Sequence, residues 1–134
     1  MPTYRASIDG GARGNPGPAG WGAVIEDEAG ARVAELAGTL AHATNNVAEY
    51  HGLLAALDWC ARHGATGVHI RSDSLLLVQQ MRGAYKVKHD GLKPLHGQAR
   101  RLAHKIGQVT YEHVRREQNK DADRLANQAM DEAG

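Results

Sequence analysis

The sequence predicts an α/β fold in which a mixed five-stranded sheet is flanked by helices. Short segments with alternating apolar and polar residues are typical of strands, and they stand on both sides of a longer segment with the apolar spacing of a helix. No linker, internal repeat or low-complexity tract divides the 134 residues. We therefore expect a single domain over residues 1–134.

The first half of the chain predicts three strands. Residues 4–8 alternate between apolar and polar side chains, which indicates the first strand. Residues 10–20 are so rich in Gly and Pro that we expect an irregular loop there. Residues 21–26 and 32–40 predict two further strands. Because the connections are short, the three strands should pair as an antiparallel meander.

The second half alternates helices with strands. Residues 44–46 offer helix-capping side chains, and apolar residues at helical spacing follow until Gly64. The alternating residues 68–72 predict a fourth strand, which a right-handed crossover places parallel to the first. The remaining predicted elements are a helix over residues 74–81, a helix over 91–103, a strand over 109–114 and a helix over 121–130.

Composition excludes several classes of protein. The chain has 16 Lys+Arg against 15 Asp+Glu, a formal net charge of +1, which excludes a polycationic nucleic-acid coat but permits a local basic patch. Its single cysteine excludes an internal disulfide and a cysteine-rich zinc site. No apolar run is long enough to span a bilayer, and the start of the sequence lacks a secretory signal. We therefore expect a cytoplasmic protein with no membrane partner.

Four carboxylates stand where the predicted fold would bring them together. Asp9 and Asp73 follow the first and fourth strands, and ligands of open α/β sheets gather at the carboxyl ends of parallel strands. Glu49 and Asp123 lie in the first turns of two helices that could lean over the same edge. Clustered carboxylates repel one another unless a cation neutralises them, and oxygen ligands favour Mg²⁺ or Mn²⁺. Two such ions held close together can activate a water molecule and stabilise the leaving oxygen of a phosphodiester.

Each of these carboxylates taken alone has a simpler explanation. An Asp that ends a strand often forms a turn, and an acidic residue near a helix N-terminus complements the helix dipole. The coincidence of all four at one sheet edge favours the shared site.

Four short motifs occur in a fixed order from the first strand to the last helix. They are Asp9-Gly10-Gly11 with Gly14-Asn15-Pro16-Gly17, then Thr44-Asn45-Asn46 ahead of Glu49, then Ser72-Asp73-Ser74, then Asn119 ahead of Asp123-Arg124-Leu125-Ala126. Together they resemble type 1 ribonuclease H. The resemblance implies a ribonuclease H-like fold with sheet order 3-2-1-4-5. It also implies a monomeric endonuclease that cleaves the RNA strand of RNA–DNA hybrids, leaving 5′-phosphate and 3′-hydroxyl ends.

The resemblance implies roles for individual residues. Asp9 would bridge two Mg²⁺ ions, which Mn²⁺ can replace, and Glu49, Asp73 and Asp123 would complete their ligands. Asp123 fits the family pattern better than Asp121 because it directly precedes a charged residue and Leu-Ala. The implied substrate-binding residues are Gly10, Gly11, Gly14, Asn15, Thr44, Asn45, Asn46 and Ser74.

Some of these positions have two readings. The glycines would let the backbone approach the RNA, or they would serve only a tight loop. Thr44 and Asn45 could equally cap the helix that follows them. Glu49 would be suited to accept a hydrogen bond from a ribose 2′-hydroxyl, a group that DNA lacks.

The chain departs from the family in two places. Many bacterial members carry a basic, Trp-rich protrusion, whereas here the corresponding interval is only residues 82–90, so Tyr85, Lys86 and Lys88 are left to form a reduced contact. Weaker hybrid binding, or reliance on a partner, is the expectation.

The second departure is in the loop after the fifth strand, residues 114–119, which lacks the histidine often found there in the family. Arg115, Arg116 or Glu117 is expected to substitute. His113 is predicted to be a packed or half-exposed strand residue in preference to a catalytic one, and the other histidines are expected at the surface.

Two other functions stay open at this point. The chain could be a non-catalytic module that binds hybrids, although clustered negative charge near phosphates would not help a pure binder. It could also be another nuclease of the same fold, such as an integrase or resolvase, although Asp9-Gly-Gly and Thr44-Asn-Asn favour the hybrid-specific branch.

Overall fold

A computed structural model describes residues 2–134, and the sheet in it has five strands in the order β3-β2-β1-β4-β5. The predicted α/β fold and strand order are therefore confirmed. In chain order the elements are β1 (Thr3–Ala12), β2 (Gly17–Glu26), β3 (Arg32–Ala43), α1 (Asn45–Arg62), β4 (Gly67–Ser72), α2 (Leu75–Met81), α3 (Lys93–Ile106), β5 (Gln108–His113), a 3₁₀ turn (Arg116–Gln118) and α4 (Lys120–Ala133).

The sheet is mixed, as the connection lengths predict. β1, β2 and β3 form the antiparallel meander. α1 then carries the chain across one face of the sheet, so that β4 pairs parallel to β1, and β5 pairs parallel to β4. The parallel pairing of β1 with β4 ends at Ile8 and Ser72, whereas β1 continues to Ala12 because β2 still pairs with it.

Helices cover both faces of the sheet. On one face α1 and α3 enclose the main core, in which Ile8 and Ile70 of the sheet lie fully buried in one cluster with Leu53 and Leu57 of α1. α4 packs on the opposite face of β1, β2 and β3. Among the described residues, no helix has both the length and the apolar character that a bilayer crossing requires.

The prediction of an irregular loop over residues 10–20 was wrong at both ends. Only residues 13–16 lie between the strands, and the flanking glycines belong to β1 and β2. A Cβ on Gly10 would lie 2.4 Å from the backbone carbon of Ala48 in α1, and one on Gly20 would lie 2.5 Å from the backbone nitrogen of Met130 in α4. The glycine content therefore reflects helices lying directly on the strands.

Helix boundaries also differ from the predicted ones by a few residues. α3 begins two residues later than expected, with Pro94 in its first turn, and continues to Ile106. Proline is well tolerated in a first turn because its missing N–H would have no partner there. α4 runs to Ala133 instead of ending at residue 130.

Replacing Gly20 with alanine should destabilise the fold. Because the added Cβ would overlap backbone of α4, we expect the free energy of unfolding to fall by about 1–3 kcal/mol in urea denaturation. Gly97 of α3 is the matched control, since a Cβ there has no neighbour nearer than 3.5 Å. Gly97→Ala should be neutral or stabilising by up to about 1 kcal/mol through helix propensity. Equal effects of the two substitutions would contradict the packing explanation.

Candidate active site

The candidate site begins where β1 and β4 separate. Ile8 and Ser72 are the last residues of the two strands in parallel register, and each is followed by an aspartate, Asp9 or Asp73. β1 and β4 are hydrogen-bonded neighbours, so the two aspartates leave adjacent strands at the same edge. Asp9 lies within β1 and is only 8% exposed.

Two helices add the other predicted acids. Thr44 caps α1 by accepting a hydrogen bond from the Val47 N–H (3.2 Å), and Glu49 follows one turn later, 8% exposed. Asp123 lies in the first turn of α4. Asp9, Glu49, Asp73 and Asp123 all line one cavity of about 600 Å³.

Burial and the charges of neighbouring carboxylates raise the pKa values of three of these carboxyls, Asp9, Glu49 and Asp73. Burial is the main cause that raises the pKa of Asp9 to about 8, and the charges of Asp73 and Asp123 add to it. Burial likewise raises the pKa of Glu49 to about 7, against a hydrogen bond from Ser74 that lowers it. Full ionisation of Asp9 and Glu49 at neutral pH therefore requires a compensating positive charge.

The pKa of Asp73 is influenced in both directions, because a cationic side chain is near. Burial raises its pKa and so does the charge of Asp123, whereas the nearby Arg116 guanidinium lowers it. Arg115, Arg116 and Glu117 all line the cavity from the segment after β5. All three candidates for replacing the missing loop histidine therefore lie at the site.

The carboxyls contact one another in pairs. A protonated Asp9 is within hydrogen-bonding reach of both Asp73 and Asp123. No three His, Cys, Asp or Glu side chains among residues 2–134 already surround a common point at metal-binding distance. The oxygen-only donor set and the unrelieved negative charge nevertheless fit hard divalent cations, which are held by carboxylates and water.

The predicted substrate-binding residues divide between two cavities. Gly10, Gly11, Asn45 and Ser74 line the main cavity. A smaller cavity of about 200 Å³ lies at the N-terminus of α1 and shares Asn45 with the first. Its lining residues are Asn15, Thr44, Asn45, Asn46, His89 and Leu92. Gly14 lies outside both, in the exposed turn, where its φ of +78° suits glycine.

Several of these polar side chains are already engaged within the protein. The Asn15 Oδ1 accepts from the Asn45 N–H (2.9 Å), and the Asn45 Oδ1 accepts from the Ala12 N–H (2.7 Å). Ser74 caps α2 by accepting from the Leu77 N–H. Thr44 and Ser74 are therefore helix caps, whereas Asn45 joins α1 to the end of β1.

Two histidines that the sequence analysis set aside lie at these cavities. His113 lines the main cavity, and its Nε2 is 3.2 Å from the backbone oxygen of Asp73. Strand register places His113 at the site, because His113 pairs with Ser72, the residue before Asp73. His89 lines the smaller cavity, where the chain enters α3, and no sequence pattern marks it. Asp121, by contrast, is exposed and pairs with Arg32.

Comparisons with known proteins agree with this geometry. A family model described as reverse transcriptase-like matches residues 7–129. A bifunctional protein of Mycobacterium tuberculosis is 52% identical over 126 residues, which are 93% of this chain but 35% of that relative. The chain therefore spans about a third of that curated protein.

Solved structures match over almost the whole chain. The N-terminal RNase H domain from Mycobacterium tuberculosis superposes with a TM-score of 0.96 at 48% identity, covering 99% of this chain and 96% of that one. RNase H1 of Halobacterium salinarum gives 0.92 at 40%, covering 97% and 98%. LC11-RNase H1, solved in complex with an RNA/DNA hybrid, gives 0.91 at 41% with the same coverage. Identity and coverage this high show that the chain belongs to the type 1 ribonuclease H family.

Proposed function

We propose that this protein hydrolyses the RNA strand of RNA–DNA hybrids with two divalent metal ions, leaving 5′-phosphate and 3′-hydroxyl ends. One observation carries the proposal: Asp9, Glu49, Asp73 and Asp123 line a single cavity in a ribonuclease H fold, and the pKa values of the first three are raised. A protein that only bound the hybrid would gain nothing from negative charge facing phosphates. Binding by LC11-RNase H1 supports the choice of substrate.

Asp9, Glu49, Asp73 and Asp123 are the residues that would hold Mg²⁺, with Mn²⁺ able to replace it. Ribonucleases H use divalent metal ions. When bound, a pair of ions activates a water molecule and stabilises the leaving oxygen of the phosphodiester. The pairwise contacts of Asp9, with Asp73 on one side and Asp123 on the other, support Asp9 as the carboxylate that two ions share.

Residues around the carboxylates would orient the hybrid. The smaller cavity lies at the N-terminus of α1, where the positive end of the helix dipole favours a phosphate. Thr44, Asn15 and Asn46 are the residues proposed to grip that phosphate. His89 would add a donor there. Asn45 lines both cavities and so joins the phosphate position to the carboxylates.

Cationic residues of the segment after β5 would balance charge during cleavage. Arg115 and Arg116 line the cavity, and both are exposed and able to reach a bound backbone. Glu49 is proposed to accept a hydrogen bond from the 2′-hydroxyl of the RNA strand, which provides discrimination against DNA. The backbone amide of Gly10 favours the ionised form of Asp9 and lowers its pKa, against the larger effect of burial.

The first test is a cleavage assay on labelled RNA–DNA, RNA–RNA and DNA–DNA duplexes. The wild-type protein should cut the hybrid in Mg²⁺ or Mn²⁺ and lose activity in EDTA. Asp9→Asn should still bind the hybrid but lose cleavage by orders of magnitude, because an amide cannot bridge two cations. Asp121→Asn is the control, since Asp121 is exposed on another surface and paired with Arg32. Unchanged cleavage by Asp9→Asn would overturn the proposal.

The raised pKa of Asp9 predicts a specific dependence of stability on pH in the metal-free protein. Between its ordinary pKa of 3.8 and about 8, ionisation of this carboxyl opposes folding, so stability is lost as pH rises. Asp9→Asn in EDTA should exceed wild type in free energy of unfolding by more than about 1 kcal/mol near pH 8, since each tenfold change in proton affinity is worth about 1.4 kcal/mol. Near pH 4 the difference should vanish.

Chemical denaturation at the two pH values measures this difference. Asp121→Asn again serves as the control and should show no such gain. A lower free energy of unfolding for Asp9→Asn than for wild type near pH 8 would contradict the inference that ionisation of Asp9 opposes folding.

The basic segment after α2 should contribute to hybrid affinity. From Arg82 to Lys105 the chain carries many Lys and Arg residues and one acid, Asp90. Lys86 and Lys88 are exposed, and Val87 between them lies two residues before His89 of the phosphate cavity. Each phosphate contact steepens the dependence of log affinity on log salt by about 0.9.

Lys86→Ala and Lys88→Ala should therefore each lower that slope by about 0.9 in binding titrations across salt concentrations. Lys105→Ala, at the far end of α3, is the control and should leave the slope unchanged. Slopes that do not respond to Lys86 and Lys88 would remove both residues from the interface.

A further inference from the structure

Asn119 occupies an unusual position beside the carboxylates. It is the residue immediately before α4, where asparagine commonly caps a helix with its side chain, yet its side chain makes no capping hydrogen bond. The residue is only 2% exposed. Its Nδ2 instead donates to the backbone oxygen of Ile8 at 2.8 Å, in a buried contact that spans 111 residues of sequence. Because that carbonyl can only accept, the orientation of the amide is fixed.

This one residue connects three parts of the site by hydrogen bonds. Ile8, whose backbone oxygen accepts from the Asn119 side chain, directly precedes Asp9. The backbone oxygen of Asn119 accepts from the Asp123 N–H at 3.0 Å, and the Asn119 N–H donates to the Arg116 oxygen at 2.9 Å. The strand that carries Asp9, the helical turn that carries Asp123 and the 3₁₀ turn that carries Arg116 therefore meet at Asn119.

The connection matters because Asp9 and Asp123 repel each other when ionised. Asp9 lies within β1 and Asp123 lies in the first turn of α4, so their separation depends on how those two elements are joined. The Asn119–Ile8 hydrogen bond is the buried polar contact that joins those two elements next to the carboxylates.

We propose that Asn119 is a positioning residue that sets the distance between Asp9 and Asp123, and with it the affinity of the site for divalent cations. The effect of Asn119 on cleavage rests on the proposed function, whereas its effect on cation binding does not. Groups that do not bind the metal themselves but orient the residues that do typically contribute 10–100-fold to metal affinity or activity.

The test measures binding of Mn²⁺ to the protein without hybrid by isothermal titration calorimetry. Asn119→Ala should raise the dissociation constant for Mn²⁺ by at least about tenfold, and it should lower kcat for hybrid cleavage similarly while KM stays within about threefold. Ala129→Gly is the control, because Ala129 is buried on the same helix but does not line the cavity. It should lose comparable stability in urea with unchanged Mn²⁺ affinity.

A second variant covers a failure of Asn119→Ala to fold. Asn119→Leu keeps the size and branching of the side chain but has no donor for the Ile8 carbonyl. Because this variant adds no charge and fills the buried position, weaker Mn²⁺ binding by it identifies the lost hydrogen bond as the cause. Metal affinities of the Asn119 variants that match Ala129→Gly would overturn the inference.

The outcomes also separate the two proposals. If the wild type cuts no hybrid but the Asn119 variants bind Mn²⁺ more weakly, the proposed function is overturned and the positioning role is supported. If the wild type cuts the hybrid but the Asn119 variants bind Mn²⁺ as tightly as Ala129→Gly does, only the positioning role is overturned.

Discussion

The register between two parallel strands determines the rest of this site. Ile8 and Ser72 are the last residues that β1 and β4 pair in parallel, and this pairing places Asp9 and Asp73 in adjacent positions where both are partly desolvated. The result is a local conflict, because burial raises the pKa of both carboxyls and they repel each other as well. Core packing around Ile8 and Ile70 holds the strands in register despite that repulsion. A bound divalent cation would relieve the conflict.

Close packing of helices on the sheet completes the cluster. α1 can deliver Glu49 to the edge because Gly10 lets its backbone lie directly on β1, and α4 can deliver Asp123 because Gly20 and Gly22 do the same on the opposite face. The glycines near Asp9 therefore have a structural reason to be small that is independent of any substrate. Asn119 then joins β1 to the start of α4 from within the protein. The contacts that pack the helices on the sheet are therefore also the contacts that position the carboxylates.

Much of this could be predicted from the sequence, for identifiable reasons. Alternation and helical spacing located every strand and the four helices, and the crossover rule placed β4 beside β1. Residues 10–20 misled because glycine marks both turns and close helix contacts, and composition alone does not separate the two. His113 was undervalued because its place depends on its pairing with Ser72, which spacing along the chain does not reveal. The partner of Asn119 lies 111 residues away, so only coordinates could identify it.

The central claim is that these four carboxylates hold divalent cations, and anomalous diffraction from crystals grown in Mn²⁺ with a hybrid tests it most directly. Our account predicts two manganese peaks in the main cavity, both within bonding distance of Asp9, with Glu49, Asp73 and Asp123 among the remaining ligands. Crystals saturated with Mn²⁺ that showed no anomalous peak beside Asp9 would contradict it.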